Sequence, residues 1–280
     1  MHIKKRLKGI KRFVNAPPKL VGIVNITPDS FSDGGLAYTP ELAVARAKIL
    51  LTDGADIIEL GAEATGPGAK PVSEDEEIRR LAPVLKELNG VAVISIDTYK
   101  AGVAAYCLEH GASLINDVSG LRADNDLARV VAQHGASVVV MHSKEEGGHP
   151  HVSSSTRVYR NIIEEIKNFL LERTAFALSM GVRKSKIIID PGMGRFLSEN
   201  PEDSWDVLRR LRELVNIGFP VLIGTSRKGF LTNGQKRTLE ERDALSQLSA
   251  ILAWEHGATY VRTHNVSMFK TFLETWGKCR

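Results

Sequence analysis

Eight positions carry side chains suited to chemistry: Asn25, Thr65, Asp97, Asn116, Asp190, Lys228, Arg262 and His264. Asp97, Asn116, Asp190 and Lys228 combine carboxylate acceptors, an amide that donates and accepts, and a cationic donor. That set matches the edge of a flat heterocycle bearing amino and oxo groups, where one carboxylate accepts two parallel N–H bonds. Arg262, His264 and Thr65 favour an anion such as phosphate. Asn25 adds an oxygen ligand for Mg2+, an ion that takes few protein groups and fills its octahedron with water and phosphate oxygens.

These residues are scattered over more than two hundred positions, so a fold must gather them. Short apolar runs predict strands over 20–25, 56–60, 91–96, 113–116, 137–141, 186–189, 220–224 and 259–262. Between them, amphipathic stretches predict helices over 40–52, 74–88, 101–109, 125–133, 156–180, 203–215, 239–255 and 268–278. Ser73 reads as an N-cap with Glu76 three residues on, the pattern of a capping box. Gly54, Gly111, Gly135, Gly181 and Gly257 stand just past helix ends. Eight strand-then-helix units without a composition break predict one (β/α)8 barrel, a TIM barrel, over residues 19–280. A doubly wound open sheet is the alternative, but no GxGxxG follows the first strand.

A barrel collects its site at the C-terminal ends of its strands. Those ends are polar here: Asn25, Glu63 and Thr65, Asp97, Asn116–Asp117, His142, Asp190, Ser226–Arg227–Lys228, and Arg262 with His264. A lone Asp or Asn after a strand is ordinarily a helix cap. Caps do not explain Lys228, Arg262 or His264, and polar groups at every end are more than capping needs.

The remaining features are read blandly. Residues 1–18 form a basic extension with Lys4, Lys5, Arg6, Lys8, Lys11 and Arg12 but no apolar signal core. No nucleic-acid signature accompanies that charge, and no apolar run reaches membrane-spanning length. Cys107 and Cys279 make no disulfide framework, which fits a reducing, cytoplasmic setting. Trp205, Trp254 and Trp276 read as helix packing. His110, His134 and His256 precede helix-ending glycines, where imidazole suits the dipole. His142, His149 and His151 lack a cysteine or positioned carboxylate nearby, which argues against zinc.

Taken in order, the segments resemble one family. Residues 21–35 (VGIVNITPDSFSDGG) are similar to the first signature of dihydropteroate synthases, and residues 61–68 (GAEATGPG) to the second. IDTYK at 96–100, INDVSG at 115–120, DPGMG at 190–194, TSRK at 225–228 and VRTH at 261–264 follow in family order. The resemblance implies a transferase of folate biosynthesis, joining a pterin diphosphate to p-aminobenzoate with loss of diphosphate. It implies Mg2+ as cofactor, held with the diphosphate at Asn25. It assigns Thr65, Asp97, Asn116, Asp190 and Lys228 to the pterin substrate, and Arg262 and His264 to its diphosphate. Loops 26–35 and 62–71, Pro67 included, would cover p-aminobenzoate, with Ser226 near its carboxylate. It also implies a homodimer formed through helices away from the mouth.

The chain departs from the family pattern in places. Gly66 stands where an arginine is usual, Arg195-Phe196-Leu197 follow the DPGMG segment, and Asn265 replaces an aspartate. Phe196-Leu197-Ser198 and His142-Ser143 are similar to the sulfonamide-insensitive branch, while Gly224-Thr225 keeps the ordinary form. Arg195 is the expected substitute for the missing loop arginine at the carboxylate of p-aminobenzoate. Two other readings stay open: a pterin-dependent methyltransferase acting on a corrinoid partner, and a pterin-binding protein without turnover.

Overall fold

Eight strands pair side by side, all parallel, in the order β6-β5-β4-β3-β2-β1-β8-β7. They are β1 (Lys19–Asn25), β2 (Ile57–Gly61), β3 (Ile94–Asp97), β4 (Ala112–Asp117), β5 (Ser137–Met141), β6 (Ile187–Asp190), β7 (Leu222–Ile223) and β8 (Tyr260–Thr263). This computed structural model describes residues 16–27, 39–65, 69–145 and 157–279. The expectations for the basic tail up to residue 15, the first loop over 28–35, Gly66, Pro67, His149 and His151 lie outside these residues. A single bridge, Ile189 to Val221, joins β6 to β7 and closes the cylinder. The expected (β/α)8 barrel is the fold observed.

Helices return the chain between strands: α1 (Pro40–Thr52), α2 (Glu74–Leu88), α3 (Ala101–Glu109), α4 (Leu127–Gln133), α5 (Ile162–Ser179), α6 (Pro201–Arg209), α7 (Leu211–Val215), α8 (Leu239–Glu255) and α9 (Val266–Lys278). Caps start them: Thr39 accepts from Leu42 N–H, Ser73 from Glu76 N–H, and Asn161 from Glu164 N–H. The capping box expected at Ser73 is only half made, because the Glu76 carboxylate takes Arg79 and Arg80. The full reciprocal box forms at Thr238 and Glu241. At the Gly-Ala junctions Gly54 and Gly257 adopt φ of 98° and 105°, values that only glycine reaches without strain.

Where elements differ from expectation, local bonding explains most of the change. β3 begins at Ile94 because Val91 and Ala92 still donate to Leu88 at the end of α2. Asn161 is extended and caps α5, so the helix expected from 156 starts at Ile162. The helix expected over 203–215 divides at Arg210 into α6 and α7. β7 shortens to two residues beside Pro220, which has no N–H to give the sheet although its carbonyl accepts from Ile189. Trp276 is not a packing residue, being 39% exposed with its indole N–H on Glu255.

Strand alternation separates two cores. Val24, Ile58, Leu60, Ile96, Ile115, Val138, Val140, Ile189 and Val261 pack outward with the helices. Val21, Ile57, Leu114, Val139, Ile188 and Leu222, with Tyr260 against them, form a separate apolar plug. One residue from each of seven strands therefore fills the lower cylinder, and each buried aliphatic side chain contributes about 1.5–3 kcal/mol.

Candidate active site

Two positions beyond the plug, the same face turns polar on four of the strands. Ile57 is followed by Glu59, Leu114 by Asn116, Ile188 by Asp190, and Tyr260 by Arg262. Register places Asp97 beside Gly61 and Asn116, and Asn25 beside Gly61. A Cβ added to Gly61 would lie 3.6 Å from Asn25 Oδ1 and 4.0 Å from Asp97 Oδ2, so both oxygens border that backbone.

Arg262 is the hub. Its Nε donates to Glu59 and its Nη2 to Asp97 Oδ2 at 3.1 Å. Glu59, only 1% exposed, also accepts from Ser95 at 3.5 Å. Burial pushes Asp97 up to about 7; Arg262 opposes that rise, and the charges of Glu59, Glu77 and Asp117 add to it. Arg262 is partly buried, and Glu59 and Asp97 hold its guanidinium firmly charged.

Across the mouth, Asp190 is 5% exposed and takes Gly192 N–H at 2.7 Å. Burial raises it to about 6, against the pull of Lys228. Burial lowers Lys228 to about 8, with Asp190 resisting. The Lys228 ammonium donates to Met193 O at 3.0 Å and stands 4.9 Å from the centre of the Phe196 ring. The charges of Asp97 and Asp190 both favour the cationic forms of Lys228 and Arg262. Asn116 joins them at 2% exposure, and its Oδ1 has no hydrogen-bond partner among the described residues. A buried acceptor left unpaired costs about 1–3 kcal/mol, so this amide is set for an incoming donor.

His264 and Ser226 sit together at the ends of β8 and β7, with Ser226 Oγ 2.8 Å from His264 Nδ1. Burial, with Arg227, Arg262, Arg46 and Arg242 around it, holds the imidazole neutral, far below its ordinary pKa. Thr65 lies half-buried on the segment after β2. That segment is anchored by Glu63, which accepts from Val72 N–H, Tyr99 and Lys100, and Lys100 also bonds Glu77.

Arg195 lies apart from the charged group, 60% exposed and 3.4 Å from Glu199. It nevertheless lines a cavity of about 600 Å3 with Ser198, Gly229, Phe230 and Arg242, adjoining Lys228 in sequence. Other polar strand ends are structural. Asp117 takes Ser119 N–H, the Ser119 hydroxyl and Leu121 N–H within its own turn. His142 is buried edge-on to Phe169, pushed down to about 3 by burial and by Arg157 and Arg122. Asn265 caps α9 at Met268 and donates to Asp243, a bond that an aspartate there would replace with repulsion.

Sequence reading missed Glu59, Lys100, Glu77 and Arg242. Glu59 had a usable signal, a carboxylate inside the apolar run Ile57–Leu60, since strands buried on both faces exclude charge unless it is paired. Lys100 closes the IDTYK segment just before the apolar helix α3, a signal that could have found it, whereas Glu77 and Arg242 lie in the charge-rich starts of α2 and α8, where nothing local distinguishes them.

Comparison with known proteins agrees with the geometry. A family model described as pterin binding enzyme matches residues 21–264. Dihydropteroate synthase of Bacillus subtilis (strain 168) is 38% identical over 250 residues, 88% of this chain and 83% of that protein. Among solved structures, Xanthomonas albilineans dihydropteroate synthase with 4-aminobenzoic acid is 36% identical, with a TM-score of 0.84 over 94% of this chain and 93% of that one. The Thermus thermophilus dihydropteroate synthase in complex with 6HMPPP is 35% identical, with a TM-score of 0.79 over 94% of each chain. The chain therefore belongs to the pterin-binding enzymes, among the dihydropteroate synthases.

Proposed function

We propose that this chain condenses 6-hydroxymethyl-7,8-dihydropterin diphosphate with p-aminobenzoate, giving 7,8-dihydropteroate and diphosphate, with residues 19–280 as the catalytic domain. The observation that carries the reading is the buried Asn116 Oδ1, unpartnered among the described residues and grouped with Asp97, Asp190 and Lys228. Such a group complements a planar heterocycle with N–H donors and an oxo group, and little else.

In this reading Asn116, Asp190 and Lys228 hold the pterin edge, with Thr65 beside it. Asp97 stabilises positive charge as the bond between the pterin methylene and the diphosphate oxygen breaks. The electron pair leaves with diphosphate, which Arg262 receives through Nη1, the corner that neither Glu59 nor Asp97 takes, and His264 receives alongside it. The aniline nitrogen then bonds to the methylene carbon and gives its proton to water. No protein base is needed, and a dissociative order follows from a carboxylate facing the developing cation.

Mg2+ fits the sparse donor set it ordinarily uses. Asn25 offers one amide oxygen at the rim, and among the described residues no group of three His, Cys, Asp or Glu forms a dedicated cage. When bound there, the ion supplies charge neutralisation to the diphosphate oxygens. The cavity lined by Arg195 and Arg242 supports an arylamine carboxylate on that side of Lys228. Exposed Leu248 on α8 supports the homodimer, and the unpaired cysteines support a cytoplasmic setting. No helix among the described residues is long and apolar enough to cross a membrane.

The test is a turnover assay with both substrates and Mg2+, with Asp190→Ala as control. Product formation by the wild type and its loss in the variant are expected. Pterin binding by calorimetry without product would refute synthesis and leave a binding protein.

A further inference from the structure

We propose that Ser226 is a positioning residue that holds His264 in the tautomer with its proton on Nε2, so that a neutral imidazole acts as a fixed hydrogen-bond donor to the leaving diphosphate. The identity of the anion rests on the functional reading above; the tautomer does not.

Two contacts join the pair. Ser226 Oγ accepts the His264 main-chain N–H at 3.1 Å and lies 2.8 Å from Nδ1. A serine hydroxyl has one proton to give. If Nδ1 is bare, that proton goes to Nδ1, and the main-chain N–H, hydroxyl and Nδ1 are all satisfied. If Nδ1 carries the proton, Oγ accepts two N–H groups. The hydroxyl proton, on a residue only 8% exposed, then finds no acceptor among the described residues. Buried donors are rarely left so, which selects the first arrangement. Full protonation of the ring is opposed by burial and by four arginines, Arg227, Arg262, Arg46 and Arg242. Arg46 completes the clamp by donating to the His264 carbonyl.

The consequence is chemical. With Nδ1 satisfied by serine, Nε2–H is the ring's remaining polar group, a donor that needs no added proton. It complements the oxygen that takes the electron pair as the C–O bond breaks. A bare Nε2 would present a lone pair to that same oxygen and repel it. The Ser226 hydroxyl is consumed in this role, so it is not free for the carboxylate of p-aminobenzoate.

The experiment is nitrogen-15 NMR on histidine-labelled, ligand-free protein, with His264→Asn assigning the resonance among the eight histidines. A proton on Nε2 in the wild type is expected, and a proton on Nδ1 overturns the proposal without recourse to any serine variant. Kinetics supply the second arm. Ser226→Ala should raise the KM for the pterin diphosphate about tenfold, the worth of one hydrogen bond to a charged group. It should leave the KM for p-aminobenzoate and the affinity for the hydroxymethyl pterin without diphosphate unchanged, with Ser226→Thr restoring the wild-type value. A rise confined to p-aminobenzoate refutes the proposal. An Nε2 proton in a wild type that binds no pterin diphosphate upholds the tautomer and refutes the assigned anion.

Discussion

Replacing Asp190 by asparagine should stabilise the ligand-free protein while weakening its hold on the pterin. The side chain is 5% exposed, and burial lifts its carboxyl to about 6 from the usual 3.8 even with Lys228 nearby. A carboxyl raised in the folded state favours folding below its unfolded pKa, and that contribution is lost as pH rises through 6. At pH 7 the ionised Asp190 therefore opposes folding by on the order of 3 kcal/mol. Asparagine keeps the shape and can still accept from Gly192 N–H, so Asp190→Asn removes the charge and little else. Relieved of its partner, Lys228 moves further below 8 and sheds its proton more readily. Thermal unfolding at pH 7 should show a rise of several °C, at roughly 2–4 °C per kcal/mol for a chain near this size. The gain should shrink as pH falls from 6 towards 4, where the wild-type carboxyl is protonated. Calorimetry with the pterin should show affinity falling roughly 10-fold or more, because charged hydrogen bonds become neutral ones. A variant that loses stability at pH 7 along with affinity would make Asp190 a structural anchor and defeat the reasoning.

Three further outcomes are expected. Arg195→Ala should raise the KM for p-aminobenzoate much more than that for the pterin diphosphate; equal effects in steady-state kinetics would place Arg195 outside the arylamine side. Glu59→Gln should free the Arg262 guanidinium from its buried partner and raise the KM for the pterin diphosphate about tenfold, with the arylamine KM unmoved. Lys100→Met should leave Glu63 and Glu77 as buried carboxylates without their shared ammonium, lowering stability by about 3–5 kcal/mol in denaturant titration. A loss below about 1 kcal/mol would show that this cluster relaxes into water.

Much of this architecture is legible in residue order. The helices over 40–52, 74–88, 101–109 and 239–255 begin and end where periodicity and caps put them: Thr39, Ser73 and Thr238 accept backbone N–H groups at three of the starts, and a positive-φ glycine follows each end. The polar strand ends are legible for the same reason: charge among apolar runs needs an explanation. Partnership is not. Arg262 is attractive for phosphate by type, yet two of its donor groups are taken by Glu59 and Asp97, one of them more than two hundred residues away. Arg195 stands where its spacing suggests, but on the rim of a cavity, paired to Glu199 in place of the central charges. Ser226 has an ordinary loop context, and only the approach of β8 to β7 shows that it serves a histidine. Such pairings are properties of closure, which residue order encodes only through the whole fold.

The join between β6 and β7 has its own consequence. Seven pairs of neighbours around the cylinder are laced by ladders of two or more rungs, but here one bridge holds two staves together, flanked by Asp190 on one side and the turn to Lys228 on the other. The gap between those charges is thus governed less by the weave than by whatever spans it. A ring gripped at both ends rivets the barrel at its thinnest stitch, so occupancy should slow amide exchange at Ile189 more than at Val139, deep among full ladders.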